Sequence, residues 1–575
     1  MSKRIITTIF ETVAVLLWSL YSCWLFVQPV FWTLSGPVSS FWEAIEKIIF
    51  REDGQGLIIG GGIDLIGTLW IFSNARSIFE GEQHTVLSEI YAPIGFDLGM
   101  NTGFAWADAA LSWPLMNSLG EPQFYNTHIL FTLILSQIGT YILLRSWKTP
   151  VLIALLLMSF VVLNPFTIEE IYQGRPTQVH IFFHTLFLWS ITKITTGKGW
   201  RWSFLGAFSL ACACLVYWFS GAAVGFCGII LYLFYGKWRS LPQFIALGIG
   251  AIMLVLSATW RVSKDFIFGS GGMQFAQLRR PPADEIQLGF MNIPIQKWQY
   301  IQKFADISAL LEGLYFPSIL LIAALIASLM IKHRIRSIVF VFIAITIPIE
   351  GAIVFNNGSW IPTGYAFLHS IFPPLPRCTV PHRMMVAPLL ISLLMIGMGS
   401  HALISKIRSW SVRWGLILLL LAGIYQTLMQ SIPASQKTST SRHAVDQSYI
   451  KYSQKYPGGI IDVPLIASEK TYVQQRHHKQ KIIGGPGQDS VRPHMHRLYY
   501  QRNSYLLALE SMAEKGKVRT IKEKDKIKLW NDGFRLLVIH MNMSRATQEE
   551  YETLLGVSGE LDLRKNRLYI PILEP

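Results

Sequence analysis

Charge is the scarcest commodity in this chain. Asp, Glu, Lys and Arg make up 15% of its 575 residues, against roughly 25% in ordinary soluble domains. With 51% hydrophobic and 13% aromatic residues, that deficit excludes a conventional soluble globular protein and marks a polytopic membrane protein. Cysteine is also sparse. Cys23, Cys212, Cys214 and Cys227 lie in hydrophobic runs, Cys378 lies in a loop, and the polar C-terminal part has none, so neither a disulfide framework nor a zinc site organises the chain. HExxH, P-loop and dinucleotide-binding signatures are absent, and GGPG at 484–487 lacks the spacing of the last two. Internal repeats and low-complexity tracts are absent as well.

What charge there is runs strongly basic, with a formal net of +15. Many of the basic residues sit in short clusters between apolar runs, where they act as topology signals and meet anionic lipid headgroups, so nucleic acid is not an expected partner. The N-terminal MSKRIITTIFETVAVLLWSLYSCWLF has a basic start, a long apolar run and no small-residue cleavage site, and predicts an uncleaved first membrane helix.

Apolar stretches long enough to span a bilayer lie near 8–34, 125–145, 149–165, 179–196, 202–218, 220–236, 241–260, 313–331, 337–356, 386–404 and 412–430, about eleven in all. Lys3-Arg4 and the clusters RSWK (145–148), KITTGKGWR (193–201), GKWR (236–239), KHRIR (332–336) and SKIRSWSVR (405–413) then all fall on one side. By the positive-inside rule that side, with the N-terminus, is cytoplasmic. Loops 35–124, 261–312 and 357–385 and everything after about residue 431 lie outside. The predicted organisation is a membrane domain over 1–430 that includes the outer loop 35–124, a linker over 431–444 containing ASQKTSTSR, and an extracytoplasmic α/β domain over 445–575. In the last, GGIIDVPL (458–465), FRLLVIHM (534–541) and the terminal RLYIPIL read as strands, while 490–513 and 545–555 carry helical spacing.

The outer loops hold the chemistry. In the first, Asp64, Glu80, Glu82, Glu89, Asp97 and Asp108 alternate with Trp70, Trp106 and Trp113. IDLIGTLWIFSNARSIF (63–79) predicts an interfacial amphipathic helix with Asp64 at its start. Asp64 there is either a first-turn acid stabilised by the helix dipole or a general base that takes a proton from an acceptor hydroxyl. Asp97, in the turn-rich IYAPIGFDLG, completes an Asx-type turn or faces a substrate. In NPFTIEEIYQGRPTQVHIFFH (164–184), Glu169 and Glu170 are adjacent, Arg175 is nearby, and His180 and His184 are four apart, a spacing that on one helix face suits either a metal with one of the glutamates or a polar group inside the bundle that touches substrate. Arg377 and Arg383 bracket the Pro-rich corner of HSIFPPLPRCTVPHRMM just before a span, at the depth of a lipid phosphate, where they snorkel or grip that phosphate. GSGGMQFAQLRRPPADE in loop 261–312, with Arg279 and Arg280, reads as a basic lid over an anionic group.

GGIDLIGTLW, IYAPIGFDLG, the NPF corner with Gln178-Val179-His180, and PLPRCTVPHR together resemble the GT-C superfamily of membrane glycosyltransferases. IIDVPL, YVQQRHH (472–478) and GGPG further resemble its bacterial branch with a C-terminal periplasmic α/β domain. The resemblance implies transfer of a sugar from a polyprenyl-phosphate carrier to an extracytoplasmic lipid, glycan or protein acceptor, with inversion, in a bacterial inner membrane. It implies Asp64 as the acidic catalytic residue of the first outer loop, with Arg377 and Arg383 at the carrier phosphate; Asp97, Glu169, Glu170 and His180 are the candidates to bind substrate. A paired Asp-Glu at the first-loop position and a WWDYG signature are both lacking, so no divalent metal is an obligatory cofactor on this reading. A non-enzymatic lipid or glycan translocation component on the same scaffold is the alternative, and a solute transporter the third, weakened by the missing inverted repeat.

Overall fold

The computed structural model describes residues 3–34, 57–59, 63–98 apart from 83 and 85, 105–259 apart from 121 and 122, 285–288, 291–294, 318–348, 352–354, 360–371, 381–431 apart from 408, 440–442, 446–465, 474–485, and 494–574 apart from 518. The chain divides into two compact units, one of residues 1–65 with 105–442, the other of 66–104 with 443–575.

The first unit is a helical bundle. Five of its described helices are long and apolar enough to cross a membrane: Thr7–Phe26 within the longer Lys3–Leu34, Gln123–Ser146, Trp218–Tyr235, Trp238–Ala258 and Val386–Lys406. Arg201–Val216 packs on both Phe182–Thr195 and Leu241–Ala258, Gln123–Ser146 packs on Phe182–Thr195, and Ser318–Met330 packs on Val386–Lys406. The last crossing is close because Gly399 has no side chain; a Cβ there would stand 2.6 Å from the Ala327 backbone. Such small-residue contacts are how membrane helices approach each other without a hydrophobic driving force. The N-terminal helix is tied to its neighbours through Glu11, which accepts from Tyr141 Oη (3.1 Å) and Arg145 (3.3 Å), and through Trp18 Nε1 donating to Ser159 Oγ at 2.6 Å.

Two expected spans are shorter than their apolar runs. The 149–165 stretch is helical only over Val151–Ser159. Asn164 turns its side chain back, donating to Phe160 O at 2.6 Å and accepting from Thr167 N at 2.9 Å, which caps a new helix whose first residue is Pro165. Proline suits a first helical position and not an interior one, so the run breaks there. The 337–356 stretch is helical over Arg334–Thr346 and becomes a strand at Ala352–Val354.

The second unit holds a four-stranded sheet in the order Glu560–Asp562, Arg567–Pro571, Phe534–His540, Gly459–Val463. Phe534–His540 runs parallel to Gly459–Val463 and antiparallel to Arg567–Pro571. Its neighbours carry clear caps. Asn503 accepts from Leu506 N at the start of Ser504–Lys515, which Gly516 ends at φ 63°, and Thr547 with Glu550 forms a capping box on Gln548–Leu555. Phe534, Leu509, Met512, Leu529, Tyr551 and Ile570 fill the core.

Part of the expected first outer loop belongs to this unit. Ile482 N donates to Glu89 O (2.7 Å), Ala92 N to Ile482 O (3.0 Å) and Tyr91 N to Gly484 O (2.9 Å). The helix Ile63–Phe79 is also not an interfacial amphipathic one. Leu65, Leu69, Trp70, Phe72 and Ala75 are all buried, so its apolar residues pack inside the protein and do not face a membrane interface.

The sheet core generates a stability prediction. Phe534 is fully buried at its centre, so Phe534→Ala should cost about 3–5 kcal/mol. A thermal melt of the full chain with the same midpoint as wild type would show that the ring carries no such packing.

Candidate functional site

The sequence places a carboxylate, Asp64, in the first turn of Ile63–Phe79, and a distant turn brings it a partner. After the short helix Pro165–Tyr172, Gly174 at φ +80° reverses the chain so that Arg175 Nε donates to Asp64 Oδ2. The turn can come this near only as glycine, because a Cβ on residue 174 would stand 2.3 Å from the Leu65 backbone. The same guanidinium sends Nη1 to Glu170 Oε2 at 3.4 Å. One arginine thus bridges two carboxylates, one 43% exposed and the other, Glu170, 1% exposed. Among the described residues Asp64 Oδ1 has no hydrogen-bond partner, so one oxygen of a half-exposed carboxylate remains open to accept a proton.

A second cation stands beside this pair. Arg383, in the single turn Pro381–Met384 that leads into Val386–Lys406, is hydrogen-bonded to Tyr217 and feels the charges of Glu170 and Asp64. Burial works against its charged form, but Tyr217 and the two carboxylates outweigh burial and hold its pKa above the ordinary value. Its Nε is buried and has no acceptor among the described residues. A desolvated donor of this kind fits an anionic oxygen. Glu169, next to Glu170 in sequence, turns away to accept from Gln173 Nε2 at 2.8 Å. Arg377, Arg279 and Arg280 lie outside the described residues. Asp97 lies on the strand Phe96–Asp97 of the other unit, and its side chain is outside the described ones.

His180 joins a different cluster. It precedes the helix Phe182–Thr195, so it does not share a helix face with His184, contrary to the expectation from their spacing. Its Nδ1 is hydrogen-bonded to Asp108 Oδ1, with His128 Nε2 at 3.6 Å from the same oxygen, while His184 Nε2 pairs with Ser220 Oγ at 3.0 Å. All three members of the Asp108 cluster have fully buried side chains. Burial opposes ionisation of Asp108, but the charges and hydrogen bonds of His180 and His128 overcome it and hold the carboxyl below the usual carboxylate range. Among the described residues no group of three or more His, Cys, Asp and Glu is arranged to hold a metal. Tyr217 and His128 are not singled out by the sequence, and Asp108 and Arg175 appear there only as a first-loop acid and a charge near Glu170, since the contacts that define their roles come from other elements.

Neither a family model nor a curated protein matches the chain. Solved structures do. The chain aligns over 100% of its length with 40% of the arabinofuranosyltransferase AftD from Mycobacteria, at 12% identity and a TM-score of 0.52. It aligns over 93% of its length with 70% of the oligosaccharyltransferase of Archaeoglobus fulgidus, at 11% identity and a TM-score of 0.49. The fold resembles that of AftD. At these identities the likeness is one of fold, and the chain spans less than half of AftD.

The Asp108 cluster can be tested apart from any activity. Asp108→Asn keeps the shape and removes the charge from between two buried histidines, and should cost about 3–5 kcal/mol, as breaking a buried pair does. An unchanged melting midpoint at neutral pH would show that the carboxylate carries no charge-dependent load.

Proposed function

We propose that the chain is a membrane glycosyltransferase of the bacterial inner membrane that moves a sugar from a polyprenyl-phosphate carrier to an extracytoplasmic lipid, glycan or protein acceptor, with inversion. The observation that carries this reading is the pairing of a half-exposed carboxylate, Asp64, with two arginines, Arg175 and Arg383, inside a GT-C fold. On this reading the acceptor hydroxyl attacks the anomeric carbon and its proton passes to Asp64 Oδ1. The bond from that carbon to the carrier phosphate breaks, and the phosphate leaves with the electron pair. The leaving group gains negative charge as it departs, and Arg383 Nε, which has no acceptor among the described residues, supplies a donor for it together with the Arg175 guanidinium. No step in this scheme calls on a metal, because guanidinium groups take the place of a cation at the phosphate. On this reading the N-terminus is cytoplasmic, and loop 35–124 and the residues after about 431 lie outside, where an acceptor would be met.

The competing reading, a non-enzymatic lipid or glycan translocation component, rests on the same Asp64–Arg175 pair, which gives the carboxylate a structural partner.

One experiment separates the two. Purified chain reconstituted in membranes is given a panel of polyprenyl-phosphate sugars, and release of polyprenyl phosphate is followed. Asp64→Asn should lose about 10²- to 10⁴-fold in rate with an unchanged melting midpoint, and Arg383→Gln about 10²- to 10³-fold. If no donor is consumed, or if Asp64→Asn melts early while keeping its rate, Asp64 is a structural residue and the transferase reading falls.

A further inference from the structure

We propose that a pocket in the unit of 66–104 with 443–575 binds an anionic saccharide, one that carries a carboxylate or phosphate on a sugar ring. As the acceptor side of the reaction, this rests on the transferase reading above.

The pocket encloses about 310 Å³ between the helices His494–Arg502 and Glu523–Asn531 and the turn at Ile94. Its apolar surface is Ile94, Met495, Leu498 and the Tyr499 ring, with Met495 59% and Ile94 41% exposed. Exposed apolar side chains gathered around a concavity mark a binding surface. Tyr499 Oη donates to Asp532 Oδ2 at 2.6 Å, which fixes the ring in place.

The polar lining divides into groups already committed and groups still open. Asn503 caps the next helix, and Asp525 accepts from Ser504 N at 2.9 Å and Ser504 Oγ at 2.6 Å. Arg502 is exposed and has no hydrogen-bond partner among the described residues, and Lys528, also exposed, stands 5.1 Å from the centre of the Tyr499 ring. Two open cations against one committed carboxylate leave the lining positive, and between Lys515 and Lys528 the chain has seven basic and two acidic residues. An aromatic ring with open cationic donors beside it matches a sugar, whose CH face is apolar and whose edge here bears an anion. A pocket of this size holds a monosaccharide unit, and an acyl chain would make no use of the Arg502 and Lys528 donors.

The test uses the full chain in lipid nanodiscs of neutral lipid, with titration calorimetry against trigalacturonate, glucose 6-phosphate, maltotriose and inorganic phosphate. Trigalacturonate or glucose 6-phosphate should bind, maltotriose and inorganic phosphate should bind at least about tenfold more weakly, and the double variant Arg502→Gln, Lys528→Gln should weaken the anionic sugar by about tenfold or more. Both side chains are exposed, so the melting midpoint should not move. Equal affinity for maltotriose, binding of inorganic phosphate as tight as the sugar, no binding at all, or an unaffected double variant each overturns the proposal. So does binding only to vesicles containing phosphatidylglycerol. Because binding is read without turnover, a chain that transfers no sugar yet binds trigalacturonate overturns the transferase reading alone. A chain that transfers sugar and ignores both anionic probes overturns the saccharide pocket alone.

Discussion

Glu170 is a carboxylate 1% exposed in a largely apolar bundle, and that burial dictates the arrangement around it. An isolated charge there would cost several kcal/mol, so positive charge must be delivered to it. Arg175 comes from five residues along its own chain and Arg383 from the entrance to a distant helix. Arg175 can reach back only because Gly174 reverses the backbone in the left-handed region and lets it pass against Leu65. Having come that close, the guanidinium meets Asp64 as well. The exposed carboxylate is therefore held in position by a cation that a buried one requires.

The bundle contains a second buried carboxylate, Asp108, solved with different chemistry. Histidine partners carry charge only when protonated, whereas arginines carry it at every accessible pH. The Asp64–Arg175–Glu170–Arg383 group is thus permanently charged and has open donors, which suits a phosphate. The Asp108–His180–His128 group is sealed, with no exposed side chain, and suits holding Trp106–Ser118 against Gln123–Ser146, the two helices being in contact. Adjacent glutamates in the sequence show the same sorting on a smaller scale: Glu170 faces the arginines, while Glu169, one residue earlier, pairs with Gln173 on the outer turn of the helix.

The strands near 458–465 and 534–541 were legible because short β-branched runs between turn residues have few alternatives, and they are found at Gly459–Val463 and Phe534–His540. Helices over most apolar runs were legible for the same reason of length and composition. Hydropathy could not see the break at Asn164-Pro165, which a side chain bonding to its own backbone creates inside an apolar run. It also could not see that residues 89–92 would pair with 482–484, a contact across almost 400 positions. At the site, Asp64 and Arg383 stand out in sequence as charges beside apolar runs. Arg175 acquires meaning only through its bridging of Asp64 and Glu170, and His128 only through Asp108.

The two sequence readings of Asp64, first-turn acid and general base, are joined by Arg175 rather than opposed. Helix dipole and guanidinium both act on the same carboxylate. On the transferase reading, an incoming carrier phosphate competes for the same guanidinium, since Arg175 can serve either anion with its fork. Each step of that exchange toward the phosphate loosens the ion pair that holds Asp64. Asp64 would then be released toward an acceptor hydroxyl only when a donor is bound and there is a sugar to receive. On the same reading Glu170, buried and 3.4 Å from Arg175, is a second anchor that holds the guanidinium at the site when the phosphate departs.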